Sequence, residues 1–382
     1  MKGLGPLVLL AALAALFLRF GPLGVFQPAF PPVEELTVEH ITLPRLGEIQ
    51  VQVVNGGPQA VTIGQVSVDD AIWRFEIDGS NTIGRLESRT LTIPYPWVEG
   101  EPHEVALVTS TGLTFTAGVE VATQTPSLDA RYIGTFAMLG VYVGVIPVLL
   151  GLLWLPFLRS IHRRWLDFFL SLTLGLLIFL GVNALAESLE TAGLVAGAFQ
   201  GLGVVVLGFL GAVLILAALG GRQAQGRHGE ASPFYVATLI ALGIGLHNLG
   251  EGLAIGAAYA TGEIALGTFL VVGFLIHNTT EGLGIVAPVA AERPQLRRLL
   301  LLGLLAGVPT IPGAWIGGFT YAPIWVTLFL AMGAGAIAQV IYLLWNFFAR
   351  PEGGGGLAGP LNAAGLVLGM LIMYATGLLV AA

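Results

Sequence analysis

One short polar string occurs twice in a strongly apolar chain. The two copies are His247-Asn-Leu-Gly-Glu-Gly252 and His277-Asn-Thr-Thr-Glu-Gly282. In each copy the histidine and the glutamate are four residues apart, so both side chains share one face of a helix. Imidazole and carboxylate groups bind divalent transition metals. The repetition therefore predicts a site for one divalent cation, and its expected ligands are His247, Glu251, His277 and Glu281.

The ligand types narrow the choice of ion. Ca(II) and Mg(II) favour all-oxygen cages, and Cu(I) favours thiolate or thioether groups. The chain has no cysteine, and none of its five methionines is expected at the depth of the two strings. Zinc is therefore the first expectation, with iron, manganese, cobalt or cadmium as alternatives. The ion is expected as cargo and not as a resident cofactor.

The composition predicts that helices within a membrane position these strings. Of the 382 residues 55% are apolar and only 10% are charged, whereas about 25% is usual in soluble domains. A helix of about 20 apolar residues crosses a hydrocarbon layer of ~30 Å. We predict eight such spans, at about 132–158, 165–188, 193–219, 233–260, 264–291, 297–319, 322–348 and 361–381.

The two histidines are predicted to lie at mid-depth on the fourth and fifth spans. Each follows the start of its span by about 13 residues, which is about 20 Å along a helix. Ionisable groups at that depth are costly and indicate function. A divalent ion would neutralise the carboxylates and bind the imidazole nitrogens.

Other polar residues give weaker signals. Asn248 and Asn278 could ligate the ion or only cap backbone groups. Asn183 and Glu187, near the outer end of the second span, Thr310 on the sixth and Gln339 on the seventh could line a pathway for the ion.

The arginines predict the orientation of the spans, because cytoplasmic loops are enriched in Lys and Arg. The connections near Thr191, Gly262 and Tyr321 contain neither residue type. All nine arginines of the remaining loops lie in the alternate connections: Arg159, Arg163, Arg164, Arg222, Arg227, Arg293, Arg297, Arg298 and Arg350. The residues before the first span and the C-terminus are therefore expected outside.

Two further regions precede the spans. Residues 1–30 carry an apolar run behind Lys2, which is typical of a signal anchor or a signal peptide, and the lack of a clear cleavage site favours the anchor. Residues 31–129 alternate apolar and polar positions and predict an extracytoplasmic β-sandwich of about seven strands, with an immunoglobulin-like arrangement. His40 and His103 in it are expected at the surface. Residues 130–382 then form the eight-helix transporter domain.

Residues 132–382 resemble the ZIP family of zinc- and iron-regulated transporter-like proteins, in particular its bacterial branch. The resemblance is carried by the two His-Asn-x-x-Glu-Gly strings and by the eight spans. The resemblance implies a central site on the fourth and fifth helices and uptake towards the cytoplasm across the cell (inner) membrane. It also implies a homodimer in which a transport block slides against a scaffold.

The chain departs from that family at three positions. The family usually has proline before the glutamate of each string, where this chain has Gly250 and Thr280. Glycine retains local flexibility, and a threonine hydroxyl can bond a freed carbonyl. On the sixth helix the family often supplies a glutamate that bridges a second metal, and here Thr310 takes its place. One ion is therefore expected, not two.

Three other functions are alternatives to metal transport for this chain. The same residues could relay protons or sodium ions in a transporter of another solute. An intramembrane metallo-hydrolase needs a general base beside a metal-bound water, but the chain has no His-Glu-x-x-His string, so no enzyme is expected. A membrane-anchored sensor would not need eight spans. Lipid is the expected surrounding, nucleic acid is not an expected partner, and the sequence names no partner for the β region.

Overall fold

The computed structural model describes residues 5–20, 33–224, 232–262, 264–292, 294–319, 322–348 and 356–381. Within these residues the chain forms an N-terminal β region and a larger helical region. The helices are α1 Gly5–Phe20, α2 Ala130–Gly140, α3 Ile146–Leu152, α4 Leu155–Ser160, α5 Arg163–Ala192, α6 Gly201–Ala224, α7 Pro233–Ala260, α8 Ile264–Val286, α9 Leu296–Gly307, α10 Thr310–Phe319, α11 Pro323–Phe348 and α12 Pro360–Ala381.

The β region consists of two antiparallel sheets. The strands are β1 Leu36–Arg45, β2 Glu48–Asn55, β3 Val61–Val68, β4 Ala71–Trp73, β5 Glu76–Ile77, β6 Thr82–Ile83, β7 Ser88–Ile93, β8 His103–Thr109 and β9 Thr114–Val119. One sheet has the order β1-β2-β7-β5; the other has the order β4-β3-β8-β9, with β6 also paired to β3. Alternate residues of both sheets, such as Val51 and Val105, are buried in one apolar cluster.

Nine strands are described where the sequence predicted about seven. Two of the nine, β5 and β6, contain only two residues each. Such strands are too short to show an alternating pattern.

The prediction that His103 lies at the surface is wrong. Its side chain is buried, and Nδ1 lies 2.8 Å from Asp69 Oδ2. Tyr95 donates its hydroxyl to the same carboxylate at 2.6 Å, and the backbone N–H of Glu104 donates to the other oxygen at 2.9 Å. A partner carboxylate thus offsets the cost of burying the imidazole. His40 is half-buried and not fully exposed.

This polar cluster shifts the pKa values of two of its members. Burial raises the pKa of Asp69, but the hydrogen bonds from Tyr95, Glu104 and His103 outweigh it and hold the pKa below its ordinary value. The hydrogen bond to Asp69 raises the pKa of Tyr95 to about 12.

Eight helical segments of the described residues are long and apolar enough to cross a membrane. They agree in number with the spans predicted from the sequence. Capping residues explain where two of them start: Asp129 accepts the Tyr132 N–H before α2, and Ser232 accepts the Tyr235 N–H before α7. Gly262, with a φ of +83°, follows the end of α7 in the left-handed conformation that favours glycine.

Two of the eight segments are interrupted, although each was predicted as one continuous span. The first consists of α2, a π-helical turn at Val141–Val145, α3 and α4. The sixth is divided into α9 and α10 next to Pro309. Pro147 follows the π-helical turn. Since proline has no N–H, each proline leaves a carbonyl one turn earlier without its helical donor.

The helices pack as two groups, joined within each group at glycines. The first group contains α2, α3 and α7 to α10, and we call it the site block because α7 and α8 carry the two polar strings. The second group contains α5, α6, α11 and α12, and we call it the flanking block. In the site block a Cβ added at Gly252 would lie 2.2 Å from the Thr310 carbonyl oxygen. In the flanking block a Cβ at Gly175 would lie 2.1 Å from the Leu366 carbonyl oxygen. Backbones within each block are therefore in direct contact.

The seam between the two blocks is formed by α11 against α7 and by α12 against α8. At two glycines of the seam the contacts are looser. A Cβ at Gly250 would meet the side chain of Leu330, and a Cβ at Gly243 would lie 3.5 Å from the nearest atom of Ala336. At a third seam glycine, Gly333, a Cβ would lie 3.2 Å from backbone atoms of His247. The backbones at these seam positions are therefore close, but less close than at Gly252 and Gly175 within the blocks.

Candidate metal centre

Helices α7 and α8 bring His247, Glu251 and His277 together in the interior of the helical region. One ligand atom from each lies within 4.8 Å of the others. Glu251 Oε1 lies 3.1 Å from His247 Nε2 and also contacts His277 Nε2. All three side chains are buried, with exposed fractions of 3 to 6%. The arrangement follows from the antiparallel packing of α7 and α8, which sets one histidine of each string beside the same carboxylate.

The Nε2 atoms of the two imidazoles face the same carboxylate oxygen of Glu251. With Glu251 ionised, that oxygen only accepts, so each ring would present Nε2–H to it. The Nδ1 atom of His247 has no partner among the described residues. Metal ligation through Nε2 requires that these protons leave, so metal binding and proton movement are linked at this site.

Asn278 holds Glu251 in place. Its Nδ2 donates to Glu251 Oε2 at 2.9 Å and to the Val143 carbonyl at 3.0 Å. Val143 lies four residues before Pro147, so this carbonyl has lost its α-helical donor. The amide thus connects the site carboxylate to the π-helical turn. Such π-helical turns are frequent at functional sites.

Asn248 makes the equivalent contact on the other string. Its Nδ2 donates to the Ala306 carbonyl at 3.1 Å, in the last turn of α9, where helical carbonyls lack donors. Of the two roles left open for the asparagines, their amide nitrogens therefore cap backbone groups. The Oδ1 atoms of Asn248 and Asn278 are buried and have no partner in the described part of the chain.

Glu281 lies outside the group of three. Its side chain is only 4% exposed; the Asn248 side chain lies beside its carboxylate, but neither oxygen makes a hydrogen bond of good geometry with a described residue. A buried carboxylate without a donor is costly. The four-ligand arrangement expected from the sequence is thus present as three clustered ligands and one neighbouring acid.

A cavity of about 190 Å³ adjoins this group. Asn183 and Glu187 of α5 line it, together with His247, Glu251 and His277. The two α5 residues lie within the last ten residues of that helix, so the cavity extends towards the end that adjoins the β region.

Met373 of α12 also lines this cavity. The expectation that no methionine lies at the level of the site is therefore wrong. A lone methionine in an apolar helix gives no sequence signal, and only the packing of α12 against α5 and α8 brings it to this position. A thioether is a soft ligand, so the residues around the cavity exclude soft metal ions less strictly than the sequence alone indicated.

Thr310 and Gln339 do not line the cavity. Thr310 is fully buried, its Oγ1 has no partner among the described residues, and its backbone lies against Gly252. Gln339 is half-buried on α11.

The absence of proline from the two strings leaves both helices continuous. α7 and α8 run through Gly250 and Thr280 without a break. The Thr280 hydroxyl donates to the His277 carbonyl at 2.6 Å.

No model of a known protein family matches the chain, and neither does any curated protein. The function is therefore inferred from the geometry of the site and from the motif itself.

Proposed function

We propose that this protein transports a divalent metal cation, zinc first, across a membrane through the site at His247, Glu251 and His277. The observation that carries the proposal is the clustering of these two imidazoles and one carboxylate within 4.8 Å, inside apolar helices. These donors suit Zn(II). A cavity adjoins the three ligands and is also lined by Asn183 and Glu187, and we propose it as the route of the ion.

The acceptors that lack donors support a cationic cargo. Glu281 Oε1 and Oε2, Asn248 Oδ1 and Asn278 Oδ1 are all buried and make no hydrogen bond of good geometry with the described residues. Such groups are normally satisfied in native proteins. A positive ion beside them would offset the cost of their burial. We propose that Glu281 joins the ligand set when the ion is bound.

We propose alternating access by movement of the site block against the flanking block. Within the blocks a Cβ at Gly252 or Gly175 would lie 2.2 or 2.1 Å from a carbonyl oxygen, whereas at the seam a Cβ at Gly333 would lie 3.2 Å from the nearest backbone atoms. Rigid blocks with a looser seam are the arrangement that a hinge or shear movement needs.

We also propose that the chain is a member of the ZIP family, because it has the two strings and the eight apolar helices. The proposal includes a homodimer and uptake of the ion across the inner membrane, with the β region on the outer side. Exposed apolar side chains on α6, such as Leu207 at 74% and Leu214 at 67%, are suited to contact with lipid.

The test is metal accumulation in proteoliposomes. Wild-type protein should load zinc, and the combined Glu251→Gln and Glu281→Gln variant should not, because it lacks both buried negative charges. Glu190→Gln is the matched control, since Glu190 is exposed and does not line the cavity. Unchanged zinc uptake by the double variant would remove the site from the mechanism.

A proton relay is the second candidate, because His247, Glu251 and His277 already form a continuous hydrogen-bonded chain. Zinc binding by the purified protein separates the two functions. A relay predicts no zinc affinity and proton uptake driven by another solute, whereas metal transport predicts zinc binding that His247→Ala weakens.

A further inference from the structure

The β region touches the flanking block through one acidic side chain. Glu35 Oε1 accepts the backbone N–H of Gly197 at 2.9 Å. Gly197 starts a short 3₁₀ turn between α5 and α6. A Cβ on Gly197 would lie 2.5 Å from the same Glu35 oxygen, so this position has little room for a side chain.

The β region touches the site block at a second place. Gly262 joins α7 to α8, the two helices that carry the metal ligands. A Cβ on Gly262 would lie 2.3 Å from Thr123 Oγ1 and 2.8 Å from the Val121 carbonyl oxygen. The chain also continues from this segment directly into α2 of the site block.

Both contacting segments are hydrogen-bonded to neighbouring backbone of the β region. Glu35 bonds through its carbonyl to the Gly56 N–H at 2.9 Å. Ala122 is fully buried, donates its N–H to the Glu101 carbonyl and accepts the Gly100 N–H. The β region can therefore move with the site block as one unit. The Glu35 contact then spans the two blocks.

We propose that the hydrogen bond from Gly197 to Glu35 is a latch that restrains movement of the site block against the flanking block, and thereby regulates transport. This inference rests on the proposed transport function. A movement that displaces the blocks at this end separates Glu35 from Gly197, because the β region follows α7 and α8. The latch thus stabilises the arrangement seen here, in which the cavity reaches the site from the end that adjoins the β region.

Covalent closure of the latch tests the proposal. The chain has no cysteine, so Glu35→Cys with Gly197→Cys introduces the sole pair of thiols in the full-length protein. The pair is linked by oxidation or by a short bifunctional thiol reagent, and zinc uptake is measured in proteoliposomes before and after reduction. Linked protein should transport at less than about a tenth of the reduced rate, and reduction should restore it. The single variants Glu35→Cys and Gly197→Cys should not respond to the same reagents.

Two substitutions at Glu35 provide a readout that does not need cargo. Glu35→Gln keeps an acceptor for the Gly197 N–H, whereas Glu35→Leu removes it. Hydrogen exchange in residues 193–200 should be faster in Glu35→Leu by about tenfold and close to wild type in Glu35→Gln.

The outcomes separate the two proposals. Equal uptake by linked and reduced protein overturns the latch, and so does equal exchange in the Leu and Gln variants. If the reduced protein fails to move zinc at all, the transport function fails, while the exchange result still decides whether the latch exists.

Discussion

Replacement of Asn278 by alanine should weaken zinc binding without removing any ligand of the three-residue group. Its amide donates to Glu251 Oε2 at 2.9 Å and to the Val143 carbonyl at 3.0 Å, and all of these atoms are buried. Without it, the carboxylate that both imidazoles contact loses the donor that fixes its orientation.

The size of the effect follows from that contact. A hydrogen bond to a charged group contributes about 1.5–3 kcal/mol, and each 1.4 kcal/mol is about tenfold in affinity. The expected rise in the zinc Kd is therefore about 10- to 140-fold. Loss of a partner that orients a metal ligand typically costs about 10- to 100-fold, which agrees with this range.

The assay is competition with a chromophoric zinc chelator, using purified protein at fixed pH. Gln339→Ala is the matched control, because Gln339 is also an amide on a helix of this region but does not line the cavity at the site. It should change the zinc Kd by less than about threefold. Asn278→Asp separates orientation from ligation: an ionised aspartate cannot donate to Glu251 and would repel it, whereas a ligating aspartate would bind zinc more tightly.

Two results would refute this reasoning. One is a zinc Kd for Asn278→Ala within about threefold of wild type. The other is tighter binding by Asn278→Asp, which would make the asparagine a ligand and not an orienting group.

Three further predictions concern other parts of the molecule. Glu187→Gln should raise the KM for zinc uptake several-fold with little change in the maximal rate, because it removes a charge that lines the access cavity but lies outside the ligand group; proteoliposome kinetics measure this. Gly252→Ala should lower the thermal stability by about 1–3 kcal/mol or more, since its Cβ would clash with the Thr310 carbonyl oxygen, whereas Gly211→Ala, with no atom within 4 Å, should not. Asp69→Asn should lower the thermal unfolding temperature at pH 7. Because the folded pKa of Asp69 is depressed, its stabilisation is present above the unfolded value of about 3.9 and is lost as the pH falls through the folded pKa, so the difference between wild type and variant should shrink between pH 5 and pH 3.

The eight long apolar helices could be predicted because each needs only its own composition. Their interruptions could have been anticipated in part, since Pro147 and Pro309 mark the places where helical hydrogen bonding fails. Only the packing shows that an asparagine of each string caps a backbone carbonyl at these interruptions: Asn278 caps Val143, four residues before Pro147, and Asn248 caps Ala306 in the last turn of α9.

The sequence by itself determined that this chain has a β region, eight apolar helices and two polar strings whose histidine and glutamate share a helix face. These properties depend on neighbours within about four residues along the chain. The tertiary structure decided that Glu251 meets both imidazoles, that Glu281 stays apart, that Met373 enters the cavity and that His103 is buried against Asp69. Each of these depends on which elements pack together, and this choice is made by contacts between residues far apart in the chain.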